Sequence, residues 1–559
     1  MNKIFKYQFS VISYCLLAIG YCLAVSCADY NDPYNRFRAE PDPTFVEPYK
    51  DLNPVKSYID RTAYPNMALG ATLKVADFNR QDLAHAAAVS NFDDVSFGTT
   101  LMSGTIVNDK GVMNFLDMID LLDHVEEIGY EVFGSPIVAN ANQPDGWLNL
   151  LTAPVEILVD YVEGKTVDFT TMSVGDYTGT VDKGKAAIVK YDGESALKID
   201  ASAQVRIVED FEVDSLAKYT LTFWAKSDKS TAYFNITFSD NSEIDGGGTN
   251  KRFTLEPGKW KKFVVECQSA SGVTEGYLRI ENSRASDIYI QKVQVGYYPD
   301  NHRPQTVQEK TDTINYALDA WCDGLMKINA GRITTFDLID EAIGTEELEN
   351  GMFDLKHSTT SIFWQDILGS EQYAPVVSRV ASEAYQKYEG DPAALRFFVS
   401  EKGLEDQKKF ESLNYWIKKW DANGAKIDGI NAKLNLSYSE DAEKQEANKA
   451  DLDNLLANLA STGKLIRLSN FDITYKDAAG ANVKAADITP DQRQKLADYY
   501  GYVIKSYMTK IPNDKQAGIC KGNLADTADP VGLWAVDSKS KDWVRTATYK
   551  AFCDALSGK

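Results

Sequence analysis

The sequence predicts an α/β barrel interrupted by an inserted all-β sandwich, and three observations lead to that prediction. Residues 55–154 alternate strand-like apolar runs with helix-like ones, a rhythm that indicates a parallel sheet with helical crossovers. Residues 155–300 instead carry short alternating runs separated by turn residues, as β-sandwiches do. The βα rhythm returns over residues 301–559. We therefore expect one barrel built from two segments of the chain, with a sandwich between them.

The first barrel segment shows the rhythm most clearly. Residues 67–73 form an apolar run typical of a buried strand, and residues 80–90 have the pattern of a helix. A second strand-like run covers residues 92–97, and a second helical pattern covers residues 112–128. Two such βα units in succession favour a parallel sheet, because parallel strands need a crossover between them.

The inserted segment has several short strand-like runs, at 203–207, 219–224, 233–238, 261–265 and 288–290. Residues 219–226 and 257–263 resemble strands of carbohydrate-binding modules of families 4 and 22. In such strands the tryptophans mostly supply core, so we expect Trp224 and Trp260 to pack inside the sandwich, with glycan contact as the alternative. Whether this module binds a glycan or only spaces the two barrel segments stays open.

The N-terminus predicts export. Residues 1–10 carry Lys3 and Lys6 without an acid, and a mostly apolar run follows to Ser26, too short for a transmembrane helix of about 20 residues. Small residues precede Cys27, which resembles a bacterial lipoprotein cleavage site. We expect a signal peptide at 1–26, lipidation of Cys27 and a polar tether over 27–54 that resembles the surface-export signal of Bacteroidetes lipoproteins. Plain secretion is the alternative to this outer-membrane, cell-surface location.

Composition excludes several partners. The net charge of -22 argues against nucleic acid and against anionic lipid surfaces. Neutral glycans remain compatible, since 30 Tyr, 24 Phe and 9 Trp supply aromatic faces. The four histidines and the scattered cysteines show no metal-ligand spacing, so we expect no metal centre and no cofactor. Calcium near Asp240 and Asp245 in the sandwich is left open.

Several segments after residue 305 resemble glycoside hydrolase family 10, the endo-1,4-β-xylanase family. Residues 336–342 resemble that family's Trp-Asp-Val-Val-Asn-Glu-Ala at the end of the fourth strand, and residues 426–430 resemble its Pro-Ile-Asp-Gly-Ile. Residues 468–473 occupy the place of its Ile-Thr-Glu-Leu-Asp-Ile. The resemblance implies a (β/α)8 TIM barrel interrupted by an inserted all-β sandwich, an arrangement also found in xylanases of gut Bacteroidetes.

The resemblance implies a damaged catalytic pair. A retaining glycosidase needs two carboxyl groups about 5–5.5 Å apart, one as acid/base and one as nucleophile. Glu341 stands at the acid/base position, but Asn470 stands at the nucleophile position, and an amide cannot form the glycosyl-enzyme ester. Asp472 lies about 7 Å further along that strand and does not replace the nucleophile. Asp340 neighbours Glu341 and is expected to face away from it, because adjacent strand residues point to opposite faces.

The polar shell that the family uses to hold the sugar is also altered. On the second strand, Gly98, Thr99 and Met102 replace the family's polar cluster. The third-strand Trp and His become Ala139 and Asn140, and the sixth-strand Gln-x-His becomes Lys433-Leu434-Asn435, while the fifth-strand Asn-Asp-Tyr-Asn gives way to residues 399–402. Four candidate glycan contacts remain: Asn140, Asn435, Trp534 and Trp543, of which the two tryptophans match the aromatic walls of the family's sugar site.

These observations favour a non-catalytic, xylanase-like surface lipoprotein. It would bind a polysaccharide, with xylan as the first guess, for a neighbouring hydrolase or an outer-membrane glycan transporter. The first alternative is an active retaining glycoside hydrolase that uses Glu341. The second alternative is a structural scaffold subunit without a glycan site. Fold alone does not choose among the three.

Overall fold

The computed structural model describes residues 48–228, 232–246, 248–283, 286–299, 301–537 and 541–559. The predicted signal peptide, Cys27 and most of the predicted tether lie outside these ranges. The chain forms two compact units: one combines the residues up to Thr152 with Val307–Lys559, and the other is Ala153–Thr306. Within the described ranges, no helix is long and apolar enough to cross a membrane.

The first unit is a closed barrel of eight parallel strands. They are β1 (Ala68–Thr72), β2 (Asp94–Ser96), β3 (Glu131–Gly134), β4 (Thr335–Asp340), β5 (Arg396–Lys402), β6 (Gly429–Lys433), β7 (Leu465–Ser469) and β8 (Gln516–Lys521). Each strand pairs with the next, and β8 pairs with β1 to close the ring. The predicted (β/α)8 barrel is therefore confirmed.

One long helix follows each strand position around the barrel. These helices are α1 (Leu83–Asn91), α2 (Leu116–Ile128), α3 (Val307–Asn329), α4 (Tyr373–Lys387), α5 (Gln407–Ala422), α6 (Ala442–Ser461), α7 (Pro490–Lys510) and α8 (Ala547–Leu556). The first begins three residues later than its periodicity predicts, because the Asp82 side chain accepts hydrogen bonds from the backbone N–H groups of Ala84 and His85 and so caps the helix.

Shorter elements complete this unit. Helical turns cover Val55–Tyr58, Val75–Asn79, Ser103–Ile106, Asp145–Leu151, Trp364–Leu368 and Asn513–Lys515. Short strands cover Val138–Ala139, Ile343–Glu347, Phe353–Leu355, Leu436–Ser439, Ile473–Lys476, Trp534–Val536 and Trp543–Arg545. The first of these strands pairs with the end of β4.

The barrel interior contains a buried ion pair. The Arg467 guanidinium on β7 donates two hydrogen bonds, of 2.7 and 2.9 Å, to the Asp94 carboxylate on β2. Both side chains are almost fully buried, and the guanidinium also lies 4.2 Å from the centre of the Phe133 ring. Because each charge would be costly to bury alone, the pair ties β2 to β7 inside the barrel.

The second unit is a sandwich of antiparallel strands. One sheet contains Val162–Asp168, Gly175–Asp176, Ala186–Tyr191, Glu194–Ile199, Lys218–Lys226, Glu243–Ile244, Lys261–Gln268 and Ile288–Tyr298. The other contains Val181–Lys183, Gln204–Glu212, Ala232–Phe238, Lys251–Leu255 and Glu275–Asn282. A helical turn, Phe169–Thr171, and the strand pair Val155–Glu156 and His302–Arg303 also belong to this unit.

Trp224 does not supply core as its motif predicts. Its neighbours Phe223 and Ala225 are fully buried, whereas Trp224 is 40% exposed. Successive residues of a strand point to opposite faces, so the strand that buries Phe223 must place Trp224 outside. Trp260 is half-buried at the surface and donates a hydrogen bond of 3.2 Å from Nε1 to the Asp192 carboxylate.

The acids around Asp240 and Asp245 already have protein partners. Asp240 accepts a hydrogen bond of 2.7 Å from the Tyr277 hydroxyl, and Asp245 forms an ion pair with Lys251. In the part of the chain that the structure describes, no group of three or more His, Cys, Asp or Glu side chains is placed to hold a metal ion.

Candidate functional site

A cavity of about 630 Å³ opens at the end of the barrel where the strands terminate. We call it the mouth cavity. Its lining includes Thr72 at the end of β1, Ser96 at the end of β2 and Gly134 at the end of β3. The remaining lining residues are Phe97, Gly98, Thr99, Met102, Phe133, Ser135, Pro136, Asp337, Asp340, Glu341, Lys402, Asn431, Lys433, Leu434, Asn435, Ser469, Asn470, Cys520, Gly522 and Asn523. Carboxyl ends of barrel strands are where such barrels place their functional sites.

Glu341 is held between two lysines in this cavity. It directly follows β4 and has a left-handed backbone conformation, with φ at 48°, which is uncommon for a residue with a side chain. The Lys402 ammonium lies 2.6 Å from Oε2, and the Lys433 ammonium lies 3.1 Å from Oε1. The backbone N–H of Glu341 donates a hydrogen bond of 2.8 Å to the carbonyl of Ser400. Both carboxylate oxygens therefore already have a cationic partner.

The two lysines keep Glu341 ionised. Burial raises the pKa of this carboxyl, but the hydrogen bonds and charges of Lys402 and Lys433 outweigh burial, so the pKa is lowered overall. A general acid must instead hold a proton near neutral pH, which requires a raised pKa. The geometry around Glu341 thus opposes the acid/base role that its sequence position implies.

Asp340 shares a lysine with Glu341, which corrects the expectation that it faces away. The Lys433 ammonium lies 2.5 Å from Oδ1 of Asp340, and the Ser400 hydroxyl donates a hydrogen bond of 2.6 Å to the same oxygen. Simple alternation fails here because the register of β4 against β5 shifts before Asp340, and Glu341 then leaves the extended conformation. Both carboxylates consequently line the mouth cavity.

Asp337 is a third carboxyl group in the same cavity, one step deeper in the barrel. It is 6% exposed and accepts hydrogen bonds of 3.0 and 3.2 Å from the Asn431 side-chain amide. Burial and the nearby charge of Asp340 raise the pKa of Asp337 to about 7. The pKa of Asp337, a nearly buried group in the cavity lining, therefore lies near neutrality.

Asn470, which is predicted to stand at the nucleophile position, lines the mouth cavity. It lies in the left-handed region, with φ at 51°, and its side-chain amide donates a hydrogen bond of 3.0 Å to the carbonyl of Leu434. Asp472 is occupied elsewhere, because it forms an ion pair with the buried Lys521 and accepts hydrogen bonds from Asn523. Asp472 is therefore not available as a second free carboxylate.

The other predicted glycan contacts are divided between the cavity and the protein interior. Asn435 lines the mouth cavity. Asn140 does not line it, and both polar atoms of its side-chain amide are buried without a hydrogen-bond partner among the described residues. Trp534 is only 4% exposed and packs at 5.9 Å from Trp543 and at 5.3 Å from Tyr549. Contact of either tryptophan with a glycan stays a prediction.

Sequence reasoning missed the lysines as partners of Glu341. It treated Lys402 and Lys433 only as replacements for sugar-binding residues of the family. They stand opposite one another at the ends of β5 and β6, beside the strand that carries Glu341. The sequence does contain a signal for this contact: two consecutive strands each end in a basic residue, next to the strand that ends at a carboxylate.

The mouth cavity suits an uncharged, hydroxyl-rich ligand. Asp340, Glu341, Lys402 and Lys433 are paired with one another, which leaves amides and hydroxyls such as those of Asn435 and Thr99 to form hydrogen bonds. Phe97 and Phe133, which are 2% and 6% exposed, add a small apolar area to the wall. The arrangement offers recognition groups but no pair of free carboxyls at the spacing that retaining glycosidases use.

Comparison with known proteins finds a sequence family that is similar to part of this barrel. The family model described as glycosyl hydrolase family 10 matches residues 299–528, a range that contains β4 to β8. Among curated proteins, none matches the chain. Solved structures with a similar fold include xylanase B from Clostridium stercorarium F9, with a TM-score of 0.51, 10% sequence identity and coverage of 90% of this chain and 100% of the other.

A second similar structure is a GH10 endoxylanase retrieved from a sugarcane soil metagenome. It has a TM-score of 0.51 and 10% identity, and the alignment covers 90% of this chain and 100% of that one. At 10% sequence identity, structural similarity shows that the fold is shared and nothing further. Residues 299–528 are similar to glycosyl hydrolase family 10, and the closed eight-stranded parallel barrel matches the barrel of these solved xylanases.

Proposed function

We propose that the mouth cavity binds a saccharide chain without cleaving it. The observation that carries the proposal is the contact of Glu341 with both Lys402 and Lys433. This contact keeps Glu341, the residue at the predicted acid/base position, in its ionised form, so Glu341 would give no proton to a glycosidic oxygen bound beside it. Hydrolysis of the family type also needs a nucleophilic carboxylate, and Asn470 supplies an amide instead.

The cavity walls support a saccharide as the ligand. Its free polar groups are mostly amides and hydroxyls, which match the donors and acceptors of sugar hydroxyl groups, and two phenylalanines add apolar surface. Xylan is the first polysaccharide to test, because the structurally similar proteins named above are xylanases. The net charge of -22 further favours a neutral glycan over an anionic one.

The test compares binding and hydrolysis in one protein. Purified protein is run through native gels that contain xylan, mixed-linkage glucan or mannan, and the same glycans are assayed for released reducing sugar. We expect retardation by at least one glycan, weaker retardation of Asn435→Ala, and no enzymatic release of sugar. Release at an enzyme-like rate that disappears in Glu341→Gln would refute the proposal.

One observation favours the second candidate, an active glycoside hydrolase. Because a single ammonium contacts both Asp340 and Glu341, these two carboxylates lie close together in the cavity. However, Asp340 is buried, accepts a hydrogen bond from Ser400 and comes from the same strand as Glu341. A retaining pair needs one carboxyl on each side of the scissile bond. Absence of both binding and cleavage would favour the third candidate, a scaffold subunit.

We propose further that the protein is carried on the outer membrane by lipid on Cys27, where it would pass glycan to a hydrolase or an outer-membrane transporter. Support comes from the sequence: a charged start, an apolar run and small residues before Cys27. Labelling cells with a fatty-acid probe should mark the wild-type protein and leave Cys27→Ser unmarked. Equal labelling of both would refute lipidation at this residue.

A further inference from the structure

A polar groove of about 490 Å³ lies beside the mouth cavity. We call it the side groove. It is bordered by the loop after β5, the loop after β6, and one face each of α6 and α7, through Glu405, Asn448, Asp451 and Tyr499. Its volume falls within the range of small-molecule sites, about 300–1,000 Å³, and far exceeds the roughly 30 Å³ that one water occupies in the liquid.

Two polar atoms of the groove lining have no partner among the described residues. The Tyr499 side chain is 3% exposed, and its hydroxyl is buried without a hydrogen bond. Oε1 of Glu405 is buried in the same condition. A buried hydroxyl or carboxylate oxygen without a partner is costly, so such atoms usually face a ligand or ordered water. Tyr499 and Glu405 both line the side groove. Their unpartnered atoms therefore indicate that a ligand in the groove would bring hydrogen-bonding groups.

The side groove adjoins the mouth cavity. Lys402 and Asn435 line both of them. Lys402 bonds to Glu341 on the cavity side, and Asn435 follows β6 at the border between the two spaces. The groove is therefore the nearest place for further units of a chain seated in the mouth cavity.

We infer that the side groove is a second saccharide subsite, in which Tyr499 and Glu405 hydrogen-bond the hydroxyls of sugar units that extend from the mouth cavity. The inference rests on the proposed saccharide binding and extends it to the length of the ligand. The protein prefers oligosaccharides that are longer than the mouth cavity can hold. A tyrosine hydroxyl both donates and accepts, and a carboxylate oxygen accepts, which together match a sugar hydroxyl. Neutral sugar units also fit a groove whose two lysines and two acids balance one another.

The test measures how affinity depends on chain length. Xylo-, gluco- and manno-oligosaccharides of three and six units are titrated by calorimetry into the wild type, Tyr499→Phe and Glu405→Leu. We expect the wild type to bind the longer member of one series about tenfold more tightly, the size of effect expected for two hydrogen bonds. Each variant removes one of these bonds, so it should lose about threefold of this gain and keep its affinity for the shorter member.

Tyr502→Phe is the matched control. It removes a hydroxyl from the same helix, at a residue that does not line the groove and whose ring stacks on Tyr499 at 6.2 Å. This variant should keep the full gain with chain length. Equal affinity for short and long chains in the wild type, or an undiminished gain in Tyr499→Phe, would overturn the inference and leave a groove filled by water. If no oligosaccharide binds at all, the proposed function fails as well.

Discussion

The Lys402 ammonium lies 2.6 Å from the carboxylate of Glu341, and this contact controls the chemistry of the mouth cavity. Sequence resemblance predicts an acid/base role for Glu341, whereas the lysine contact lowers its pKa and favours the ionised carboxylate. Lys433 contacts the other oxygen of the same group. The contacts of Glu341 therefore oppose the role that its sequence position predicts.

Removing the lysines should raise the pKa of Glu341. In the double variant Lys402→Met, Lys433→Met, burial acts on the carboxyl without the opposing charges. We expect the pKa of Glu341 to rise, measured by carbon-13 NMR of the labelled carboxyl group. Lys464→Met, which removes a partly buried partner of Asp421, is the control and should leave the Glu341 titration unchanged. An unchanged titration in the double variant would contradict the lysine contacts.

Restoring the nucleophile alone should not restore hydrolysis. Asn470→Glu supplies the second carboxylate, but Glu341 stays ionised between its lysines and cannot protonate the leaving oxygen. We expect no enzymatic release of reducing sugar from xylan by this variant. The same substitution combined with Lys402→Met and Lys433→Met is the informative comparison. Rapid hydrolysis by Asn470→Glu alone would show that the lysines do not control the acid.

Breaking the buried ion pair should destabilise the barrel strongly. Arg467→Met leaves the Asp94 carboxylate buried without its partner, at a cost of about 3–5 kcal/mol in the free energy of unfolding. Urea denaturation measures this change. Arg61→Met is the matched control, because its ion pair with Asp93 is exposed and should contribute at most about 1 kcal/mol. Similar losses in the two variants would contradict this account.

Acid should weaken the contact between α1 and α2. Nε2 of His85 lies 2.9 Å from Nε2 of His124, and burial, followed by the charge of His124, lowers the pKa of His85. A histidine with a lowered pKa stabilises the fold while it is neutral, and this contribution is lost as the pH falls below about 6.5, its ordinary pKa.

The measurement compares the wild type with His85→Gln by urea unfolding at pH 7.5 and pH 5.5. The wild type should lose more stability than the variant over this interval. The pKa of His357 is shifted in the opposite direction, because the effects of Asp366 and Asp354 outweigh that of burial and raise it. His357 is present in both proteins, so its contribution cancels in the comparison. A larger loss in the variant than in the wild type would reverse the expected sign for His85.

Local patterns accounted for most of the architecture. Buried apolar runs predicted the barrel strands, and short alternating runs predicted the sandwich, because these patterns depend on the burial of nearby residues. Trp224 shows where motif reasoning fails: resemblance suggested core, whereas the alternation of its own strand, with Phe223 inward, required an exposed ring.

At the site, the sequence alone determined which groups are present: a carboxylate at position 341, an amide at position 470 and lysines at positions 402 and 433. Only the tertiary structure decided that the lysines hold the carboxylate. Lys433 is 92 positions from Glu341 along the chain and reaches it because barrel closure sets β4, β5 and β6 side by side. A left-handed turn at Glu341 then directs its side chain toward them. The basic residues at the strand ends are visible in the sequence, but their contact with this carboxylate depends on the three-dimensional arrangement of the strands.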